Sequence, residues 1–167
     1  MRRYLPRECA ETESCEPTFS RSLKKVSGHV SCNGGDMEIK NFTDLYVWRR
    51  SMDLVVDVYR LTEQFPKSEL FVLTAQTHKS VISIPSNVAE GYRRQQRSPL
   101  TYLNHLDIAL GSEGELFTQL EIGRRLGYVS ATTLQKPLAD LQDVGRMLNG
   151  LSASVAWKIS QRSRAER

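Results

Sequence analysis

Long apolar segments are missing from this sequence. No run of about 18 apolar residues occurs in the chain, so no transmembrane helix is predicted and no membrane partner is expected. Arginines follow the first methionine, but the apolar stretch that a secretory signal requires does not come after them. We therefore expect a cytoplasmic protein.

Residues that bind metals are few and scattered. The cysteines Cys9, Cys15 and Cys32 form no Cys-x-x-Cys pair, and their odd number argues against a closed set of disulfides. Neither His78 nor His105 has a glutamate three positions before it, which excludes the Glu-x-x-His pattern of di-metal four-helix bundles. We predict no metal site.

Motifs that signal catalysis are also absent. The sequence has no phosphate-binding loop, no glycine-rich dinucleotide motif and no His-Glu-x-x-His pair. Ser112 is a conceivable nucleophile, but it falls within a predicted helix and no histidine is placed by sequence to activate it. We interpret Gly111 and Ser112 as small residues that allow helices to approach closely. No catalytic residue and no cofactor are predicted.

The composition is that of an ordinary globular protein with a small basic excess. Charged residues make up 25% of the chain and hydrophobic residues 40%. The net charge is +4 and the sequence pI is about 9.1. This charge permits an anionic partner without demanding one.

The first 36 residues differ from the rest of the chain. They show no helical period, and they end in the turn signal Asn33-Gly34-Gly35-Asp36, which Met37 follows directly. We expect residues 1–36 to be a disordered tail. The alternative is that they are an untranslated leader and that Met37 is the true start.

Periodic apolar residues divide 37–157 into four predicted helices. The first begins near Thr43 as N-cap and ends before Pro66. Its predicted core stripe is Leu45, Trp48, Met52, Val55, Tyr59 and Thr62. The second begins at Ser68 and ends near Gly91. Its predicted stripe is Leu70, Leu73, Thr77, Val81, Ile84 and Val88.

The last two helices have clearer start and stop signals. Ser98 as N-cap and Pro99 at the first helical position begin the third, and Gly127 ends it. Its stripe is Tyr102, Leu106, Ala109, Glu113, Leu116 and Leu120. Thr132 or Thr133 caps the fourth. Its stripe is Leu134, Leu138, Leu141, Val144, Leu148, Leu151 and Val155.

The lengths of these helices predict how they pack. Each has about 20 to 27 residues, or roughly 30–40 Å, and the connections are short. Short connections between amphipathic helices of matched length favour antiparallel neighbours. We predict an all-α fold, an antiparallel up-down-up-down four-helix bundle, with Pro137 in the first turn of the last helix and a basic C-terminal tail at 158–167.

One segment of the second helix breaks local rules. Ser83, Pro85, Asn87, Glu90 and Gly91 place polar groups, a proline and a glycine inside a helix that needs an apolar face. Pro85 should kink or divide the helix. One interpretation is a specific packing or binding role. The other is that Asn87 and Glu90 satisfy polar groups that the kink exposes.

Basic residues cluster after the second helix. Arginines near the end of the third helix have an ordinary explanation in the helix macrodipole, whereas those in the predicted loop do not. Such a cluster is suited to a phosphate backbone, either RNA or DNA. The predicted nucleic-acid-binding residues are Lys79, Arg93, Arg94, Arg97, Arg124 and Arg125.

Several of these stretches together resemble a known family, the four-helix bundle proteins encoded in intervening sequences of bacterial 23S rRNA genes. The family includes the accessory variability determinant of diversity-generating retroelements. The resemblance covers about residues 37–155. The matching stretches are Phe42-x-x-Leu45-x-Val47-Trp48, Phe65-Pro66-x-x-Glu69, Gln76 through Gly91, Ala109-Leu110-Gly111-Ser112, Glu115-Leu116 and Leu126-Gly127-Tyr128.

The resemblance implies a homo-oligomer, typically a five-membered ring with a basic surface. It also implies a possible protein partner, since the retroelement member binds a reverse transcriptase and nucleic acid. This chain departs from the family at Lys79 and Ser80, where an arginine–alanine pair is usual. Leu54, Val56 and Val58 lie off the predicted stripe of the first helix, and this extra apolar surface also suggests an oligomer.

Two functions stay open from the sequence. One is a nucleic-acid-associated protein within a ribonucleoprotein. The other is a scaffold that binds only protein, with its arginines serving solubility and ring contacts. Catalysis is a distant third.

A chain that starts at Met37 should keep the stability of the longer chain, because the helical pattern begins only after that residue. We expect its thermal unfolding, followed by circular dichroism, to have a midpoint within a few degrees of the full chain. A large loss of cooperative unfolding would show instead that residues 1–36 pack on the helices.

Overall fold

Four α-helices and two short 3-10 turns make up residues 39–165, the part of the chain that the computed structural model describes. No strand occurs in that range, and the predicted all-α, four-helix fold is confirmed. The predictions for 1–36 and for a start at Met37 lie outside the described residues. In chain order the elements are a 3-10 turn at Phe42–Asp44, α1 at Tyr46–Thr62, a 3-10 turn at Lys67–Glu69, α2 at Leu73–Arg94, α3 at Pro99–Arg125 and α4 at Ala131–Ala165.

The helices enclose one apolar core. Each helix packs against the next along the chain, and α4 packs back against α1. Along α2 and α3 the order of contacts is reversed, since Ser80 meets Glu115 while Asn87 meets His105. The complete up-down-up-down order stays a prediction. Fully buried core residues include Leu54, Val58, Ile84, Leu106, Leu116, Leu120, Leu141 and Leu148. Burying each such leucine or isoleucine contributes roughly 1.5–3 kcal/mol.

Side-chain caps set the starts of the last two helices. The Ser98 hydroxyl accepts a backbone N–H from the first turn of α3, with Pro99 next in the chain, as predicted. For α4 the cap is Ser130, whose Oγ accepts the backbone N–H of Thr133 at 3.1 Å. The predicted caps, Thr132 and Thr133, are therefore wrong, and they lie inside the first turn.

The first two helices start later than predicted. Asn41, not Thr43, caps the first 3-10 turn through a reciprocal capping box, and α1 begins only at Tyr46. The 3-10 turn at Lys67–Glu69 holds the residues predicted to open the second helix, so α2 begins at Leu73.

The predicted core face of α1 is right in part: Leu45 and Thr62 are buried, and Trp48 and Val55 pack against the core. Leu54 and Val58, assigned to extra surface, are fully buried, whereas Met52 and Tyr59, assigned to the core, are each 40% exposed. The face that α1 buries follows Val47, Ser51, Leu54, Val58 and Leu61. The predicted face and the observed buried face of α1 both carry apolar residues at helical spacing. On the observed face, the small side chain of Ser51 lets α1 approach its neighbouring helices closely. An apolar stripe of Met52, Val56 and Tyr59 is left on the surface.

Pro85 does not divide α2. The helix continues past it to Arg94, so Gly91 is not an end signal either. Pro85 is buried, and it has no backbone N–H to offer to the carbonyl one turn earlier. In the same turn, the side-chain amide of Asn87 donates a hydrogen bond through Nδ2 to the Ser83 carbonyl, at 2.9 Å.

Gly127 ends α3 as predicted. Its φ of 78° is the left-handed conformation that glycine adopts without strain. The N–H of Tyr128 then donates to the Gly123 carbonyl at 2.9 Å, and that of Gly127 to the Arg124 carbonyl at 3.0 Å. These two bonds form a Schellman motif.

α4 is longer than its predicted range. It runs from Ala131 through Ala165, so residues 158–165 of the predicted basic tail are helical. Pro137 is the seventh residue of this helix and lies beyond the first turn, contrary to the prediction. It is buried, and the helix continues through it.

Two glycines in neighbouring helices should respond oppositely to a methyl group. A Cβ on Gly91 would lie 2.6 Å from Tyr102 Cδ2 and 2.8 Å from His105 Cβ, whereas a Cβ on Gly111 meets nothing within 4 Å. We expect Gly91→Ala to lower the free energy of unfolding by about 1–3 kcal/mol through overpacking. Gly111→Ala should raise it by about 0.5–1 kcal/mol through helix propensity. Urea titrations of both variants test this, and equal shifts would contradict it.

Candidate nucleic-acid interface

A polar cluster joins α2 to α3. Asn87 Nδ2 donates to Ser83 Oγ at 3.0 Å, and Asn87 Oδ1 lies 3.1 Å from Nδ1 of His105. The hydroxyls of Ser83 and Ser112 lie 2.8 Å apart across the two helices. Because these groups satisfy one another at a half-buried interface, they hold the helices in one register. The arrangement favours the packing interpretation of the Ser83–Gly91 segment.

Glu90 and Gly91 continue this contact toward the end of α2. Gly91 lets the Tyr102 ring and His105 lie directly against the α2 backbone. Glu90 Oε1 lies 2.5 Å from Arg94 Nη2 and 3.9 Å from His105 Nε2. Glu90 thus holds one of the predicted phosphate-binding arginines on its own helix.

The three arginines after Glu90 have different surroundings. Arg93 and Arg94 belong to the last turn of α2, so they are not loop residues as predicted, and the helix macrodipole favours both. The Arg93 guanidinium lies 5.6 Å from the centre of the Phe42 ring. Arg97 is exposed in the turn between α2 and α3. Neither Arg93 nor Arg97 has a carboxylate partner among residues 39–165.

Arg124 and Arg125 belong to the opposite end of α3. Both bond Glu121: Arg124 Nε lies 2.7 Å from Oε2, and Arg125 Nε lies 2.8 Å from Oε1. The hydrogen bond from Arg124, and then that from Arg125, lower the pKa of the Glu121 carboxyl to about 2. A helix of 27 residues is about 40 Å long, so the fold separates this pair from Arg97.

The remaining predicted residues divide between surface and core. Lys79 is exposed in the first third of α2, about 20 Å along the helix from Arg93, and has no acidic partner in the described part of the chain. Ser112 is buried and bonds within the α2–α3 cluster. Gly111 faces open space, so in a single chain it does not serve the close helix approach that was predicted.

Sequence reasoning missed the basic residues that do lie near the arginines of α2. Two adjoining cavities share Tyr92, Gln95 and Gln96 in their walls. One of them is also lined by Lys158 and Arg162 of α4, and the other by Arg93 and Lys40. The signal was present in the sequence, because Ile159, four residues after Val155, continues the apolar period of the fourth helix past the predicted boundary at 157.

We call the exposed cations Arg93, Arg97, Lys158 and Arg162 the basic end of the bundle. Within residues 39–165 none of them has a carboxylate within ion-pair distance, whereas Arg94, Arg124 and Arg125 each have one. A cation without a carboxylate partner is available to a phosphate. The basic end, which joins two predicted residues to two that were not predicted, is therefore better suited to an anionic polymer than the paired arginines are.

Neither a metal-binding cluster nor a membrane-spanning helix occurs in the described part of the chain. No group of three or more His, Cys, Asp or Glu side chains in residues 39–165 is placed to hold a metal ion. None of the helices between residues 39 and 165 is long and apolar enough to cross a membrane.

Comparison with known proteins identifies one family and one fold. The family model of the 23S rRNA-intervening sequence protein matches residues 43–150. A crystal structure of a protein with unknown function, from the S23 ribosomal protein family of Bacteroides thetaiotaomicron, is similar with a TM-score of 0.59 and 24% sequence identity. The match covers 64% of this chain and 95% of that one, and it bears on the fold alone. No curated protein matches the chain.

Proposed function

Because the chain belongs to the 23S rRNA-intervening sequence protein family, we propose that it is a non-enzymatic, ring-forming homo-oligomer that binds nucleic acid. It acts in the cytoplasm as an accessory component of a ribonucleoprotein or of a reverse transcriptase. The basic end of each protomer contacts phosphates, and a ring, most simply a pentamer, presents several such ends together.

The unpaired cations of the basic end carry this proposal. Arg93, Lys158 and Arg162 are exposed and line two adjoining cavities, and Arg97 is exposed in the turn that follows α2. Each phosphate that such a cation neutralises releases a condensed counterion, which makes binding favourable and independent of base sequence. Repetition around a ring multiplies a weak contact of one protomer into useful avidity.

An exposed apolar stripe on α1 supports the proposed self-association. Met52 and Tyr59 are each 40% exposed and Val56 is 47% exposed, which leaves one apolar stripe outside the core. Ile82 of α2 is exposed as well. A stripe that a single chain leaves in water favours association with a second copy.

The second candidate is a scaffold that binds protein and no nucleic acid. Leu70, Phe71 and Val72 favour it, since they form an exposed apolar segment before α2, with Phe71 86% exposed. A protein partner such as a reverse transcriptase would bury such a segment, and this need not involve the basic end at all.

Reversing the charge of Arg93 and Arg97 should abolish most nucleic-acid binding. Neither side chain has a carboxylate partner in residues 39–165, so the variant R93E/R97E should keep its helices. We expect the wild-type affinity for labelled RNA or DNA to fall steeply as salt concentration rises. In the variant, the slope of log affinity against log salt concentration should be smaller in magnitude by about two. Fluorescence anisotropy at two or more salt concentrations measures both.

The matched control is R60E/K67E. Arg60 and Lys67 are exposed, lie at the other end of α1 and before α2, and also have no carboxylate partner in the described residues. The control carries the same change in net charge and should bind almost as wild type does. Equal losses in both variants would place the effect in net charge alone. A wild type without salt-sensitive binding would favour the protein-only scaffold.

Lysines on the apolar stripe of α1 should dissociate the oligomer. In M52K/V56K both changed side chains start outside the core, so the helical content should persist while multi-angle light scattering reports a monomer. Q142K/A153K adds the same charge to exposed positions of α4 and should leave the oligomer intact. A wild type that is monomeric at micromolar concentration contradicts the ring itself.

A further inference from the structure

The larger of the two cavities at the basic end has the walls of a small-molecule site. Its volume is about 520 Å³, within the range of about 300–1,000 Å³ that ligand pockets occupy. Five aliphatic side chains from two parts of the chain line it, the segment before α1 and the last turns of α4. They are Ile39, Leu45, Leu151, Val155 and Ile159.

The polar groups around this cavity share one property. Gln95, Gln96, Ser154, Lys158 and Arg162 line it, no carboxylate does, and none of these five side chains has a hydrogen-bond partner within residues 39–165. Two positive charges and several aliphatic side chains, with no carboxylate in the lining, complement a ligand that has an apolar body and an anionic head.

Tyr102 adds a buried polar group to the same wall. Its side chain is 2% exposed and lines the cavity, and its hydroxyl has no hydrogen-bond partner in the described part of the chain. An orphaned buried hydroxyl costs free energy, so an acceptor that reaches it would remove that cost. Burial, and to a smaller degree Tyr92, raises the pKa of Tyr102 to about 12, so the group stays a neutral donor at physiological pH.

We propose that this cavity binds an aliphatic carboxylate, with the hydrocarbon chain among Leu45, Leu151 and Val155. The carboxylate accepts a hydrogen bond from the Tyr102 hydroxyl and lies beside Lys158 and Arg162. The aliphatic walls decide between this ligand and a nucleotide. A base would call for flat aromatic surfaces, and the cavity offers only the half-buried Tyr92 and the nearly enclosed Tyr102. The proposal does not depend on nucleic-acid binding.

Dodecanoate, kept below its micelle concentration, is the probe, and isothermal titration calorimetry of the full chain is the measurement. Dodecanol provides the same chain without the charge, and adenosine monophosphate provides an anion on a base. We expect saturable binding of dodecanoate, at least tenfold weaker binding of dodecanol, and none of the nucleotide. Preference for the nucleotide, or no saturable binding of dodecanoate, overturns the proposal.

The charged contact is tested by Arg162→Glu against Arg164→Glu. Both residues are exposed on the last turns of α4, but only Arg162 lines the cavity. Arg162→Glu should weaken dodecanoate at least tenfold, while Arg164→Glu should bind as wild type does. Equal binding by both variants would show that the carboxylate does not sit at this cation.

A third variant tests the buried wall without threatening the fold. Tyr102→Phe removes a hydroxyl that bonds nothing in the described chain, so thermal stability should not fall. We expect dodecanoate to bind several-fold more weakly, because the head group loses a donor. Loss of stability together with unchanged binding would mean that the hydroxyl serves the fold and not the ligand.

Discussion

The close contact of α2 with α3 is the constraint on which the rest of this structure depends. Gly91 removes the side chain that would hold the helices apart, and Tyr102 and His105 fill the space it leaves. Asn87 then satisfies polar groups on both sides of the contact. Steric fit sets the distance between the helices and hydrogen bonding sets their register, so the turn that carries Arg97 has a defined place.

The sequence predicted all four helices, but it did not predict which face each helix buries in every case. In α3, five of the six residues of the predicted stripe are buried, and Ser98 and Gly127 lie at its ends as predicted. α1 is apolar on two faces. Periodicity is equally good for both, and only the packing of α2 and α4 decides that Leu54 turns inward and Met52 outward. A wide apolar surface on a short helix therefore limits prediction from a single sequence.

The sequence predicted the type of site, a basic surface, but not which basic residues form it. The cluster of arginines indicated an anionic partner. Sequence alone, however, grouped Arg93 with arginines that form ion pairs with Glu90 or Glu121 in the structure. Glu121 neutralises the arginine pair at the far end of α3, and Lys158 and Arg162 enter only because α4 extends beyond its predicted boundary. Which cations are left unpaired depends on carboxylates that three-dimensional packing brings to them.

The unequal lengths of the helices have a consequence for local stability. α4 has 35 residues and α1 has 17, so α4 is about twice as long, roughly 52 Å against 25 Å. Its last turns carry mostly exposed side chains. Helical segments with few buried contacts open with a small fraction of the global unfolding free energy. The two cations beside the cavity therefore lie on a segment of low local stability, and amide hydrogens there should exchange while the core amides are still protected.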